Sequence, residues 1–213
     1  QVKVDNRFRK TLSKALADGH PDVREAAWSL MPHLDIGACA AVLADLSWAQ
    51  GLDAATQSRL VVSLRSLLEP LAAERLRAIV AAAEISNWWL RLAMGDIMHT
   101  YLDSANPQVR LAAVDAVHQL ADKMDGKAAA VLAARIEDED AAVAAAAWKA
   151  VTARLEENSP DARRVAVESL AAHAAGHPKV LAAVLDKLGD GNWLVQTAAC
   201  QALEKAMPGK EAS

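Results

Sequence analysis

Asn106-Pro107-Gln108-Val109-Arg110-Leu111-Ala112-Ala113-Val114-Asp115-Ala116-Val117-His118-Gln119-Leu120 decides the fold. An asparagine side chain can accept a hydrogen bond from the free amides of a first helical turn. A proline at the first helical position forfeits no bond there. Val109, Ala113, Ala116, Val117 and Leu120 then fall at steps of three and four and make one apolar stripe. Arg110, Asp115 and Gln119 lie off it. The stripe is rich in small residues, so a neighbouring helix can approach closely. The spacing predicts a helix over Pro107–Lys123.

The pattern recurs. His20-Pro21-Asp22-Val23-Arg24 leads to Ala27, Leu30, Met31 and Leu34. Asp140 leads to Val143, Ala147, Ala150 and Val151, and Ser159-Pro160-Asp161-Ala162-Arg163 to Ala166, Ser169 and Leu170. Gly191-Asn192-Trp193-Leu194-Val195 leads to Ala199, Ala202 and Leu203. In each copy an alanine follows the aliphatic start by four residues. Ser86-Asn87-Trp88-Trp89-Leu90-Arg91 is a poorer copy, with Met94 in the small position. A longer period of 53 residues carries Pro107 onto Pro160, Arg110 onto Arg163 and Ala130-Val131-Leu132 onto Ala183-Val184-Leu185.

A turn residue, then Pro or a polar residue, then Val-Arg-x-x-Ala-x-x-Ala-Leu resembles the second helix of a HEAT repeat, and the three-helix period resembles armadillo repeats. The resemblance is clearest over 20–34 and 87–206. It implies an all-α, right-handed α-solenoid of about twelve helices in roughly six pairs, one helical-repeat domain over 1–213. It also implies that Arg110 and Arg163, which follow the aliphatic start, serve a hydrogen-bond ladder within the array.

Composition agrees with helices and bounds the partners. The chain has 213 residues, 53% of them hydrophobic, largely alanine, and only 4% aromatic. No run of alternating β-branched residues marks a sheet. The formal net charge of −4 argues against a duplex nucleic-acid binder, which needs a basic face. No stretch of about 18 apolar residues predicts a membrane span. Cys39 and Cys200 lie far apart in a linear stack and fit free thiols in the reducing cytoplasm. The chain starts without Met, and we expect it to be part of a longer protein.

Twelve helices are expected: Asp5–Ala17, Asp22–Leu34, Ile36–Ala49, Asp53–Glu69, Leu71–Glu84, Asn87–Leu102, Pro107–Lys123, Gly126–Ile136, Ala141–Glu156, Pro160–Ala174, Pro178–Leu188 and Asn192–Ala206. Glu137-Asp138-Glu139-Asp140 is an acidic turn at the positive end of a helix dipole. It lacks the Gly and the terminal Glu of an EF-hand loop.

No motif for catalysis, metal or cofactor emerges. His173 and His177 share a four-residue spacing, but Gly176 and Pro178 break the helix and no third ligand is near. There is no Gly-rich phosphate loop, Gly-x-Ser-x-Gly elbow or His-Glu-x-x-His. Trp28 and Trp148 occupy equivalent places suited to packing between repeats. Trp88 and Trp193 each sit in a first turn after Asn, at a repeat edge. Two adjacent tryptophans, Trp88 and Trp89, cannot both enter one core stripe.

The leading expectation is a non-catalytic scaffold that binds a protein or peptide through Trp88, Trp89, Arg91 and Trp193. A tubulin-binding TOG-type array resembles the chain in size, but the turns Asp18-Gly19-His20, Asp103-Ser104-Ala105, Glu137–Asp140 and Gly189-Asp190-Gly191 are acidic or neutral where that family meets an acidic partner. A HEAT-like DNA glycosylase would use tryptophans and a carboxylate, for which Trp88, Trp89 and Asp96 are the candidates. The acidic balance opposes it. A HEAT-like chromophore lyase is a further alternative.

Overall fold

The computed structural model describes residues 5–35, 38, 41–42, 73, 77, 98–121 and 125–206. Every regular element among them is helical. Two compact units divide the chain, 1–120 and 121–213.

In the first unit, α1 spans Asn6–Leu16 and α2 spans Pro21–Leu30, continued by a 3₁₀ turn at Met31–His33. Asp5 caps α1 by accepting a hydrogen bond from the Phe8 amide at 2.7 Å. Leu12 and Leu16 bury one side of α1, and Ala27 and Met31 bury the side of α2 against it. Residues 98–101 are the end of another helix, in which Met98 is buried. Helix α3 spans Pro107–Leu120. Its Asn106 accepts from the Gln108 amide at 2.9 Å, the cap that Asn-Pro predicts. Val109, Ala113, Ala116, Val117 and Leu120 are all buried, so the predicted stripe is core.

Overpacking that stripe has a definite cost. Ala113 is fully buried. Ala113→Leu is therefore expected to destabilise the protein by about 1–3 kcal/mol, read as a lower denaturant midpoint at unchanged slope. An unchanged midpoint would remove Ala113 from a close helix contact.

The second unit contains α4 (Gly126–Ala134), α5 (Ala141–Leu155), α6 (Pro160–Leu170), α7 (Pro178–Asp186) and α8 (Trp193–Ala206). Helix α6 is its centre, packed against α4, α5, α7 and α8. Alanines and valines make these contacts possible: Ala162, Ala166, Val167 and Leu170 of α6 and Val195, Ala199 and Ala202 of α8 are buried.

Nine helices lie among the described residues, counting the end at 98–101, rather than about twelve. The three expected within 36–84 fall outside the described residues, apart from helical positions at 38, 41, 42, 73 and 77. Several ends also differ from expectation. Helices α4 and α7 close with 3₁₀ turns at Arg135–Glu137 and Lys187–Gly189, as α2 does. Their last carbonyls are met by the tighter i→i+3 bond. Helix α6 stops at Leu170 rather than at Ala174. Ser169 Oγ donates back to the Ala166 carbonyl at 2.7 Å, and the Ala171 and His173 amides donate three residues back. Pro178 then holds His177 extended.

Candidate functional site

One turn is built repeatedly. Arg24 Nη1 donates to the carbonyls of Asp18 and Gly19 at 2.6 and 3.0 Å. Arg110 Nη1 donates likewise to Ser104 and Ala105, and Arg163 Nη1 to Glu157 and Asn158. Gln196 stands at the same place and donates to the Asp190 carbonyl at 2.7 Å. The residue that opens the turn supplies the second lock. Asp18, Ser104, Asp138 and Asp190 side chains each accept the amide two residues on. The copy before α5 has Ala144 in the arginine position, and there Arg135 lies 3.7 Å from Asp138.

In the second unit this turn is tied to its neighbour. Arg163 Nε and Nη2 donate to the two carboxylate oxygens of Asp190 at 2.8 and 2.9 Å. This planar, bidentate pair joins the start of α6 to the turn before α8. The Arg163 hydrogen bonds hold the Asp190 carboxyl below its ordinary range. Burial opposes that shift, and the Asn192 amide adds to it. The same bonds raise Arg163. Lys187, itself buried, reaches Glu156 at 2.8 Å and Asp186 at 3.5 Å. Burial disfavours its charge, yet these carboxylates outweigh that and raise its pKa.

The acid limb of stability follows. The pKa of Asp190 is depressed in the folded state, so its stabilisation is complete above the unfolded carboxylate range, about pH 4, and is lost as pH falls through the folded value. Asp190→Asn is expected to be less stable than the parent at neutral pH, with the difference narrowing below about pH 4. Melting temperatures from neutral to strongly acid pH check this; a constant difference would assign the effect to something other than the ionised pair.

These two ion pairs fix the turn that presents Trp193. Trp193 is the first residue of α8 and is 68% exposed. The buried stripe of its helix, Val195, Ala199, Ala202 and Leu203, faces the other way. Beside it in sequence, Leu185 and Leu188 are 45% and 40% exposed. With half-buried Leu181 they form a stripe at steps of four and three along α7 and its 3₁₀ turn, flanking buried Val180 and Val184. Large apolar side chains thus meet water around a turn tied by ion pairs to its neighbours.

Trp88, Trp89 and Arg91 lie outside the described residues, as does Asp96. Trp193 is therefore the candidate whose setting is visible. Arg110 and Arg163 are in the turn ladder. Half-buried Trp148 stacks on His177, with ring centroids 6.4 Å apart. His173 faces Glu137 at 3.5 Å, so the two histidines point to different neighbours. Among the described residues, no group of three or more His, Cys, Asp and Glu is placed to hold a metal ion. Among them also, no helix is long and apolar enough to cross a membrane. Sequence alone does not mark Leu185 and Leu188, because leucines at steps of three and four read as core.

The HEAT-repeat family matches residues 149–213, from within α5 through α8. The C-terminal part of the chain is thus similar in sequence to HEAT repeats. No curated protein matches the chain. Among solved structures, an engineered protein is similar at 19% identity, covering 93% of this chain and 96% of that one, with a TM-score of 0.38. A designed armadillo repeat protein in complex with the peptide (KR)4 is 17% identical, covering 92% and 98%, with a TM-score of 0.33. Human deoxyhypusine hydroxylase in complex with glycerol is also 17% identical, covering 94% and 96%, with a TM-score of 0.29.

Proposed function

We propose that this chain, which carries HEAT-type helical repeats, is a non-catalytic scaffold that binds a protein or peptide partner. A single repeat domain over 1–213 and a cytoplasmic setting, consistent with the exposed free thiol of Cys200, belong to the same proposal. The observation that carries it is Trp193. A tryptophan in such a position, with Leu185 and Leu188 close by in sequence, has the chemistry of an interface anchor: large apolar area, few rotatable bonds and an indole N–H for a partner carbonyl.

The ion pairs of Arg163 and Lys187 support the scaffold role because they hold the Trp193 turn in place before any partner arrives. Less ordering is then needed on binding. Partner affinity measured for the parent and for Trp193→Ala tests the proposal. Loss of binding with retained stability supports it, and undiminished binding overturns it.

A further inference from the structure

Trp193 sits on a turn edge, and that edge is open in every copy of the repeat. Aligned on their first turns, Pro21, Pro107, Ala141 and Pro160 stand where Trp193 stands, and none of them is buried. Ala141 is exposed and Pro160 is half-buried, although α6 has neighbours on all sides. The openness of the position therefore belongs to the edge of each repeat. The α8 copy differs in placing a large aromatic side chain there.

The surroundings of Trp193 have a sign. Two segments meet at this edge, 156–161 and 186–193, joined by the Lys187–Glu156 and Arg163–Asp190 pairs. They carry five carboxylates, Glu156, Glu157, Asp161, Asp186 and Asp190, against three cations, Lys187, Arg163 and Arg164. The cations are turned inward. The Lys187 side chain is 9% exposed, while those of its partners Glu156 and Asp186 are 74% and 75% exposed. Arg163 is spent on Asp190 and two carbonyls. Asp161, in the first turn of α6, is exposed as well. Water at this edge thus meets an indole and carboxylate oxygens, with the positive charge held behind them.

A cation is the group that both features attract. The indole face draws it through the ring quadrupole, and the carboxylates draw it by charge. A guanidinium fits best, because it is planar, stacks on an aromatic face and offers a fork of donors to carboxylates. We infer that this edge takes an arginine-bearing segment of a partner protein, with a guanidinium on Trp193 and its charge toward Glu156, Asp161 and Asp186. The inference rests on reading Trp193 as the contact residue and names the chemistry of what it meets.

Titration of the full chain into a labelled peptide of alternating Arg and Ser, read by fluorescence anisotropy at low salt, tests it. Asp161→Asn with Asp186→Asn neutralises the edge while Arg164 keeps Glu168 and Lys187 keeps Glu156. Glu137→Gln with Glu139→Gln removes the same charge at the start of α5, about 20 Å along that helix from Glu156. Melting curves check that each variant folds. The parent is expected to bind, and Trp193→Ala and the Asp161/Asp186 variant each to bind about tenfold more weakly. The Glu137/Glu139 variant should stay within about twofold of the parent, because charges that far apart are screened. A peptide of alternating Glu and Ser should not bind. A parent that does not bind the Arg-Ser peptide overturns the inference. Undiminished binding by Trp193→Ala does so too, as does an equal loss at the two carboxylate pairs, which would mean diffuse charge alone. If the peptide fails but Trp193→Ala still loses binding to another protein, only the chemistry of the partner falls. If Trp193 affects neither, the scaffold proposal falls with it.

Discussion

Arg163→Ala is expected to lower stability by about 2–4 kcal/mol, roughly 4–16 °C in melting temperature for a chain of this size. The substitution removes two hydrogen bonds to the Asp190 carboxylate and two to backbone carbonyls. It also leaves the Asp190 side chain, 7% exposed, without its cation. The stranded carboxylate accounts for most of the loss, because burying an unpaired charge costs more than a paired one returns. Two controls separate these contributions. Arg24 makes the same carbonyl contacts in the first unit, and Arg24→Ala is expected to cost only about 1 kcal/mol. The double variant of Arg163 and Asp190 to alanine should lose less than the sum of the singles. Chemical denaturation of the parent and these four variants, Asp190→Ala included, decides it; equal losses at Arg24 and Arg163 would show that the inter-helix pair adds nothing.

Trp193→Ala is expected to weaken partner binding by about 2 kcal/mol or more, roughly thirtyfold in Kd. Stability should change by only about 0.5 kcal/mol, since the side chain is mostly in water and the buried stripe of α8 is untouched. The ranking is opposite to that of Arg163→Ala, which harms the fold first and binding only through it. Calorimetric titration beside thermal melting reads both quantities. A large drop in melting temperature at unchanged affinity would make Trp193 a packing residue.

Local structure was legible in the sequence where a single turn determines it. Asn106 and Asp140 cap their helices as their positions predict, and the small-residue stripes of α3 and α5 are buried. The exposure of Trp193 follows from its place in a first turn after Asn192, off the apolar stripe. Features set by the neighbouring layer were less legible. Lys187 reads as an ordinary helix residue, yet it is buried against Glu156, 31 positions away. Leu185 and Leu188 share the spacing of core leucines, and only the packing of the second unit shows that their side of α7 is uncovered. The 3₁₀ endings at Met31, Arg135 and Lys187 depend on i→i+3 bonds formed at each turn and carry no residue signature that periodicity detects.

Affinity capture from the source lysate at low and moderate salt, with the parent and Trp193→Ala as paired baits and mass spectrometry of what each retains, tests the scaffold proposal most directly. The predicted result is a protein held by the parent at both salts and lost by Trp193→Ala, with matched melting temperatures for the two baits. Retention identical on both baits, or capture dominated by nucleic acid that salt removes, would contradict it.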